Sequence, residues 1–249
     1  MIFYFTATGN SKFIADRIAT ATGDQTKNIA ECVKAGQYLF ELAEGERLGF
    51  VVPVYYYGTP TMVNEFMRKF EASPKTGVHT FVVLNCGGST GDATRYIRKY
   101  LEIDALFGIK TVDNYVPLYK IVSDNAICEQ LDAAEHEIDK IANMVKAGKQ
   151  GAYNPVAGFL PQLVTPLIYP IYKNGRKTKK FKVNEKCTGC GQCKDICPCK
   201  AIGFSQDGKP VWSKPQCEIC LACLHRCPAA AIEYGKSAGR GQYVNKRVT

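Results

Sequence analysis

Eight cysteines in the last third of the chain repeat a single spacing. Cys187, Cys190 and Cys193 stand three residues apart with Cys197-Pro198 four residues on, and Cys217, Cys220, Cys223 and Cys227-Pro228 repeat this thirty residues later. The same offset relates Ala201 to Ala231 and Ile202 to Ile232, so the segment is an internal duplication. Thiolates are soft ligands, and three of them at i, i+3 and i+6 can wrap three corners of an iron-sulfur cubane. Structural zinc sites draw on two Cys-x2-Cys pairs, a pattern that triplets ending in Cys-Pro do not supply. Cys199 has Ala229 as its counterpart and is expected to be a packed thiol rather than a ligand. His225, between Cys223 and Cys227, is a candidate for hydrogen bonding near a cluster sulfur.

A second group of chemically suggestive residues lies in the first half. Thr6-Ala7-Thr8-Gly9-Asn10-Ser11 follows an apolar run and leads into a helical pattern. Unpaired N–H groups and the helix dipole favour an anion at such a point, and hydroxyls add donors, so a phosphate can be held without a basic side chain. The same residue types are ordinary helix caps, and the loop alone leaves both readings open. Neither Gly-x-Gly-x-x-Gly nor Gly-x4-Gly-Lys-Ser/Thr occurs, which counts against dinucleotide and nucleoside-triphosphate sites. Two further loops, Pro53-Val54-Tyr55-Tyr56-Tyr57-Gly58 and Cys86-Gly87-Gly88-Ser89-Thr90-Gly91-Asp92, bring aromatic rings and glycines. A flat ring system could stack on the first while backbone groups of the second approach its polar edge, which suits a flavin. Three adjacent tyrosines leave the stacking residue open.

The elements that must position these loops alternate. Phe3–Phe5, Leu48–Val54, Phe81–Leu84 and Val112–Leu118 are apolar runs that predict strands. Helical periodicity follows in Ile14, Ile18 and Ala21, over Thr61–Phe70, through Ala93, Tyr96, Ile97, Tyr100 and Leu101, and most clearly from Ile127 to Val145. Strands interleaved with helices imply a parallel sheet covered on both faces, with ligands beyond the carboxyl ends of the strands.

On these residues, positions 1 to about 150 resemble a flavodoxin domain. The loop Thr6–Ser11 matches that family's FMN phosphate loop closely, Tyr55 falls where an aromatic residue follows a proline-led strand end, and Cys86 to Asp92 matches the third flavin loop more loosely. The resemblance implies a doubly wound α/β fold and FMN as cofactor, with no obvious aromatic residue in the third loop. Residues 181 to 235 resemble the two-cluster bacterial ferredoxins, which implies a small α+β domain holding two 4Fe-4S clusters. In that family the fourth cysteine of each run serves the other cluster. The resemblance therefore assigns Cys187, Cys190, Cys193 and Cys227 to one cluster and Cys217, Cys220, Cys223 and Cys197 to the second.

Composition divides the chain in the same way. Over 249 residues, 46% hydrophobic and 22% charged content excludes disorder and fibre and suits two modest domains. The formal charge of +9 is uneven: residues 1–150 carry 16 basic and 18 acidic residues, and residues 151–249 carry 16 and 5. We expect a flavin domain over 1–150, an apolar then basic linker over 151–180, the cluster domain over 181–235 and a basic tail over 236–249. Gly151 to Tyr172 has no charge, but four prolines argue against a helix in lipid, so it reads as a strap between the halves. Association with a membrane surface is the less favoured reading. No nucleic-acid module accompanies the basic run, which is better read as a counterweight to anionic clusters or a dock for an acidic redox partner. The opening residues lack a secretory signal's basic and apolar regions, so we expect a cytoplasmic protein whose thiols bind metal rather than pair. The expected activity is electron transfer between two 4Fe-4S clusters and FMN and on to a redox protein, such as a ferredoxin-linked oxidoreductase. The alternative is FMN-dependent reduction of a small organic acceptor, with the clusters as an internal relay.

Overall fold

Four runs long enough and apolar enough to be buried on both faces become the centre of the sheet. In the computed structural model, which describes residues 1–73 and 77–248, these are β1 (Ile2–Tyr4), β3 (Leu48–Pro53), β4 (Thr80–Cys86) and β5 (Ala105–Lys110). The short strands β2 (Thr26–Asn28) and β6 (Gly151–Tyr153) flank them. The sheet order is β2-β1-β3-β4-β5-β6 with every pairing parallel. The direction of winding reverses at β1, where chain connections leave toward opposite edges and open a crevice beyond the strand ends.

Helices cover both faces, as continuous apolar strands require. Helices α1 (Asn10–Thr22) and α5 (Asp124–Lys146) pack on one side through Ile14, Ile18, Ile138 and Val145. Helices α2 (Ile29–Ala35), α3 (Thr61–Lys69) and the single turn α4 (Thr94–Ile97) cover the other. There Phe3 stacks on Phe50 at 5.4 Å and meets the edge of Phe40 at 4.7 Å.

Two expectations fail in instructive ways. Val112–Leu118 is a loop rather than a strand, because Asp113, Asn114 and Pro117 interrupt it; the strand is the preceding run Ala105–Lys110. The helix expected across residues 93–101 stops after α4. Ala93 and Ile97 are buried but Tyr100 is exposed, so the apolar stripe that would anchor further turns ends there.

Residues 151–180, expected as a linker, are regular structure, and the first three of them, as β6, belong to the sheet of the first domain. After β6, helix α6 (Pro161–Gly175) turns Thr165, Tyr169 and Tyr172 inward. The Tyr169 hydroxyl donates to the Thr59 carbonyl at 2.6 Å and accepts from Asn64 Nδ2 at 2.8 Å. That ring lies where a Cβ on Gly58 would sit. Because both hydrogen bonds hold the ring, Gly58→Ala should destabilise the protein by about 2 kcal/mol, seen as a lower urea midpoint at unchanged slope.

In the second half, β7 (Phe181–Val183) pairs antiparallel with β10 (Ile232–Tyr234), and β8 (Ile202–Phe204) with β9 (Pro210–Trp212). Single-turn helices α7 (Gln192–Asp195) and α8 (Ala222–His225) sit at equivalent places in the two repeats. Trp212 is a packing residue, stacked on Phe181 at 4.3 Å. The buried carboxylate of Glu218 ties this unit to the first: it accepts from Thr61 Oγ1 at 2.5 Å, Tyr172 OH at 2.6 Å and Arg176 Nη1 at 3.1 Å.

Candidate functional site

The loops that leave β1, β3, β4 and β5 enclose a cavity of about 440 Å³, within the range of small-molecule sites. Of the residues expected at a flavin, Thr6, Ala7, Thr8, Asn10 and Ser11 line one end, and Pro53 to Tyr57, Cys86, Gly87 and Gly88 line the walls. Gly9, Gly58, Thr90 and Gly91 do not line it. Gly9 backs onto Asn245 and Val248, Gly58 onto Tyr169, and Gly91 onto Tyr57 and Thr165, while Thr90 Oγ1 accepts from Asn154 Nδ2 at 2.8 Å.

The end at α1 is built to donate. Thr6 Oγ1 accepts from the Gly9 N–H at 3.0 Å, Thr8 Oγ1 from Asn114 Nδ2 at 2.7 Å, and Ser11 Oγ from Asn85 Nδ2 at 3.2 Å. Each hydroxyl oxygen already accepts from an N–H group, which leaves its own O–H for an anion. The first turn of α1 adds backbone donors with no acidic side chain near them. This donor set fits a phosphate better than a cap: Gly9 at the cap position has no side chain to offer α1.

The walls are aromatic. Tyr55 and Tyr172 meet edge to face at 5.6 Å, Tyr56 lies parallel to Tyr172 at 6.1 Å, and the Tyr56 and Tyr115 hydroxyls share a hydrogen bond of 2.7 Å. Tyr56 and Tyr57 have φ of 51° and 61°, a left-handed turn that bends the loop back on itself. Burial pushes the Tyr55 and Tyr172 hydroxyls well above the usual tyrosine range, so both are neutral donors. Asn85, which opens the third loop, also lines the cavity, as do Thr111, Asp113, Asn114, Tyr115, Tyr172 and Tyr234, which the sequence did not point to. The run Asp113-Asn114-Tyr115, read as strand, held the available clue: it is the loop after a fully buried strand, the place where ligands bind. Asp92 is absent from the lining; Asp113, the one carboxylate there among the described residues, accepts from the Tyr115 N–H at 2.9 Å.

The same cavity reaches the second cysteine repeat through Ile219, Cys220 and Leu221. A separate small cavity is ringed by Cys187, Cys190, Cys193 and Cys227, one triplet with the fourth cysteine of the other repeat. Cys197 lies among Cys217 and Cys223, close enough for a thiolate there to raise both neighbours' pKa values. Burial is the larger cause: it pushes the Cys217 thiol up to about 12 and those of Cys220 and Cys223 well above the usual range. Such thiols ionise together only if cations accompany them. No three His, Cys, Asp or Glu side chains among the described residues are drawn together tightly enough for a single ion. Backbone N–H groups of Ala201 and Ala231, thirty residues apart, donate to the sulfurs of Cys197 and Cys227 at 3.4 and 3.3 Å.

The duplication extends to strained backbone. Gly189 and Ile219 have φ of 69° and 48°, Gly191 and Leu221 of 86° and 59°, and Lys200 and Ala230 both of 48°. A non-glycine residue there costs roughly 1–2 kcal/mol. Ile219 and Leu221 replace glycines at positions that line the large cavity on either side of Cys220. A glycine-to-aliphatic change at a fixed offset was visible in the sequence as a departure from the repeat.

Other expectations are redirected. His225 touches no cluster sulfur: its Nε2–H donates to the Asn114 carbonyl at 2.8 Å, and its Nδ1 accepts from the Tyr243 N–H at 3.1 Å. Burial lowers its pKa to about 4, which keeps the ring neutral in this role. Cys199 is a packed thiol with its pKa raised to about 12, mainly by burial. The tail beyond residue 235 is held against the first domain: the Asn245 N–H donates to the Thr8 carbonyl at 2.8 Å, and Tyr243 OH and Asn245 Nδ2 donate to Asn10 Oδ1 at 2.6 and 3.2 Å. Its Arg247 pairs with Asp132 and Glu135 of α5, so that charge is spent within the fold.

Parallel order, crossover reversal and a phosphate-type loop define a flavodoxin-like domain joined to a duplicated cysteine domain. Comparison with known proteins agrees: a flavodoxin domain family matches residues 1–112, and a 4Fe-4S binding domain family matches residues 181–203. An uncharacterized ferredoxin of Methanocaldococcus jannaschii is 41% identical over 51 residues, which is 19% of this chain and 66% of that protein. Pyruvate synthase subunit PorD of the same organism is 39% identical over 49 residues, 20% of this chain and 57% of that protein. The chain thus spans less than two thirds of either relative. A solved azoreductase structure from Bacillus anthracis str. Sterne aligns at 11% identity and a TM-score of 0.33, covering 57% of this chain and 97% of that one. The chain is a fusion of a flavodoxin domain with a 4Fe-4S ferredoxin-type domain.

Proposed function

We propose that this chain is a cytoplasmic electron-transfer protein that binds FMN and two 4Fe-4S clusters and exchanges electrons with a redox protein partner. The observation that carries this reading is the shared cavity: the phosphate-binding end and Cys220 belong to one enclosure. When bound, the clusters supply one-electron steps and the flavin a one- or two-electron store. Thr6, Thr8 and Ser11 would hold the phosphate, and Tyr55, Tyr56 and Tyr115 would border the ring. Cys187, Cys190, Cys193 and Cys227 would hold the outer cluster, and Cys217, Cys220, Cys223 and Cys197 the one beside the flavin. Ile219 and Leu221 would exclude water between the two sites, which keeps the local dielectric low.

Reduction of a small organic acceptor is the second reading, favoured by the open apolar rim of Leu118, Tyr119, Ile168 and Ile171. The carrier reading is preferred because Asp113 is committed to the Tyr115 N–H and no other carboxylate lines the cavity among the described residues.

Anaerobic purification with iron, sulfide and flavin quantified together tests the proposal. About eight irons and one FMN per chain are expected. About four irons, bound zinc, or a chain that refuses added FMN would each refute the corresponding half. Rapid, saturable oxidation of the reduced protein by a small acceptor, with no second protein present, would favour the reductase.

A further inference from the structure

Helix α6 presents two opposite faces. Successive residues step about 100° around a helix, so Leu163, Leu167 and Ile171 form one stripe and Thr165, Tyr169 and Tyr172 the reverse. The inner three are buried; the outer three are 65%, 74% and 57% exposed, and Phe159 just before the helix is 84% exposed. An apolar stripe of this kind on a water-facing surface marks an interaction site. We propose that this face seats the protein on an anionic lipid surface.

Charge identifies the occupant. No charged residue occurs from Gly151 to Tyr172, and the exposed lysines Lys173, Lys177, Lys179, Lys180 and Lys182 follow directly. An apolar stripe ending in a cationic cluster matches the boundary between acyl chains and anionic headgroups, where each part meets its complement. The helix lies on such a surface and does not cross it. Its fifteen residues rise about 22 Å, short of a bilayer's hydrocarbon of about 30 Å. No helix among the described residues is long and apolar enough to cross a membrane. Pro166 and Pro170 also remove the donors for the carbonyls four residues earlier, which hydrated headgroups can satisfy and hydrocarbon cannot.

The placement has a consequence for the large cavity. Ile168 and Ile171 of α6, with the exposed Leu118 and Tyr119, form its rim. Seated this way, the protein turns the mouth of the cavity toward the lipid.

The test uses the anaerobically purified full chain with its cofactors and phosphatidylcholine vesicles with or without phosphatidylglycerol, read by co-sedimentation. Phosphatidylglycerol should increase the bound fraction and added salt should reduce it. The double variant Leu163→Glu/Leu167→Glu should bind about tenfold less, and Lys173→Ser/Lys179→Ser should lose the response to phosphatidylglycerol. Iron and flavin contents should be unchanged in both, because none of these side chains lines either cavity, so this outcome is separable from that of the cofactor assignment. Failure to bind phosphatidylglycerol vesicles, or equal binding by the Leu163→Glu/Leu167→Glu variant, overturns the proposal. A dimer in solution that this variant splits would instead assign the face to a second copy of the chain.

Discussion

Replacing Cys197 with serine should lower iron from about eight to about four per chain and spare the cluster built on Cys197's own triplet. The reason is placement. Cys197 shares a buried cluster with Cys217 and Cys223, while Cys187, Cys190 and Cys193 share their cavity with Cys227. Serine keeps the shape but is a poor ligand for iron, so one corner opens and the second cluster is lost. Cys227→Ser should do the reverse. The two variants are told apart by adding Cys187→Ser to each. With Cys227→Ser the further change should cost no more iron, because both act on one cluster; with Cys197→Ser it should remove the remaining four or so. The opposite pairing would show that each run serves its own cluster.

Removing residues 243–249, which leaves Gln242 on the Leu224 and Cys227 carbonyls, should weaken FMN binding by about two orders of magnitude. Tyr243 and Asn245 supply three hydrogen bonds to the phosphate loop, two to Asn10 Oδ1 and one to the Thr8 carbonyl. At about 1 kcal/mol each, their loss amounts to roughly 3 kcal/mol, or about a hundredfold in affinity. Asn10 also donates to Thr111 Oγ1 at 3.1 Å and the Val112 carbonyl at 3.3 Å, so a displaced Asn10 loosens the opposite wall as well. The milder Tyr243→Phe removes a single donor and should weaken FMN about fivefold. Fluorescence titration of the flavin-free chain measures both. Unchanged affinity in the truncated chain would mean that the loop holds its shape without the tail.

The proposed cysteine ligands are legible in the sequence because a cluster's demand is local: soft thiolates at a spacing that wraps one corner after another. Thr6 to Ser11 are legible for a similar reason, since hydroxyls and a glycine at a helix start have a chemistry that needs no distant partner. The buried strands Leu48–Pro53 and Thr80–Cys86 announce themselves by the apolar runs at their centres, Phe50–Val52 and Phe81–Leu84. By contrast, Val112–Leu118 has strand-like residues but turn formers among them, and only its neighbours in space show it to be a cavity loop. Tyr172 and Tyr234 lie more than fifty residues from every strand-end loop of the cavity, so no window of sequence brings them there. The tail looks like spare positive charge, yet its Asn245 is packed against Gly9 and its Arg247 against α5.

Residue type and short-range spacing therefore carry the class of both domains and point to the proposed ligands and phosphate loop, because those depend on chemistry within a few residues. Folding alone decides that Ile219, Cys220 and Leu221 share an enclosure with the Thr6–Ser11 loop, and that α6 turns an apolar face to the outside. Each of these is a contact, or the lack of one, between segments far apart in the chain. Such relations are set by how sheet, strap and duplicated domain pack together, and the pattern along any one of them does not contain it.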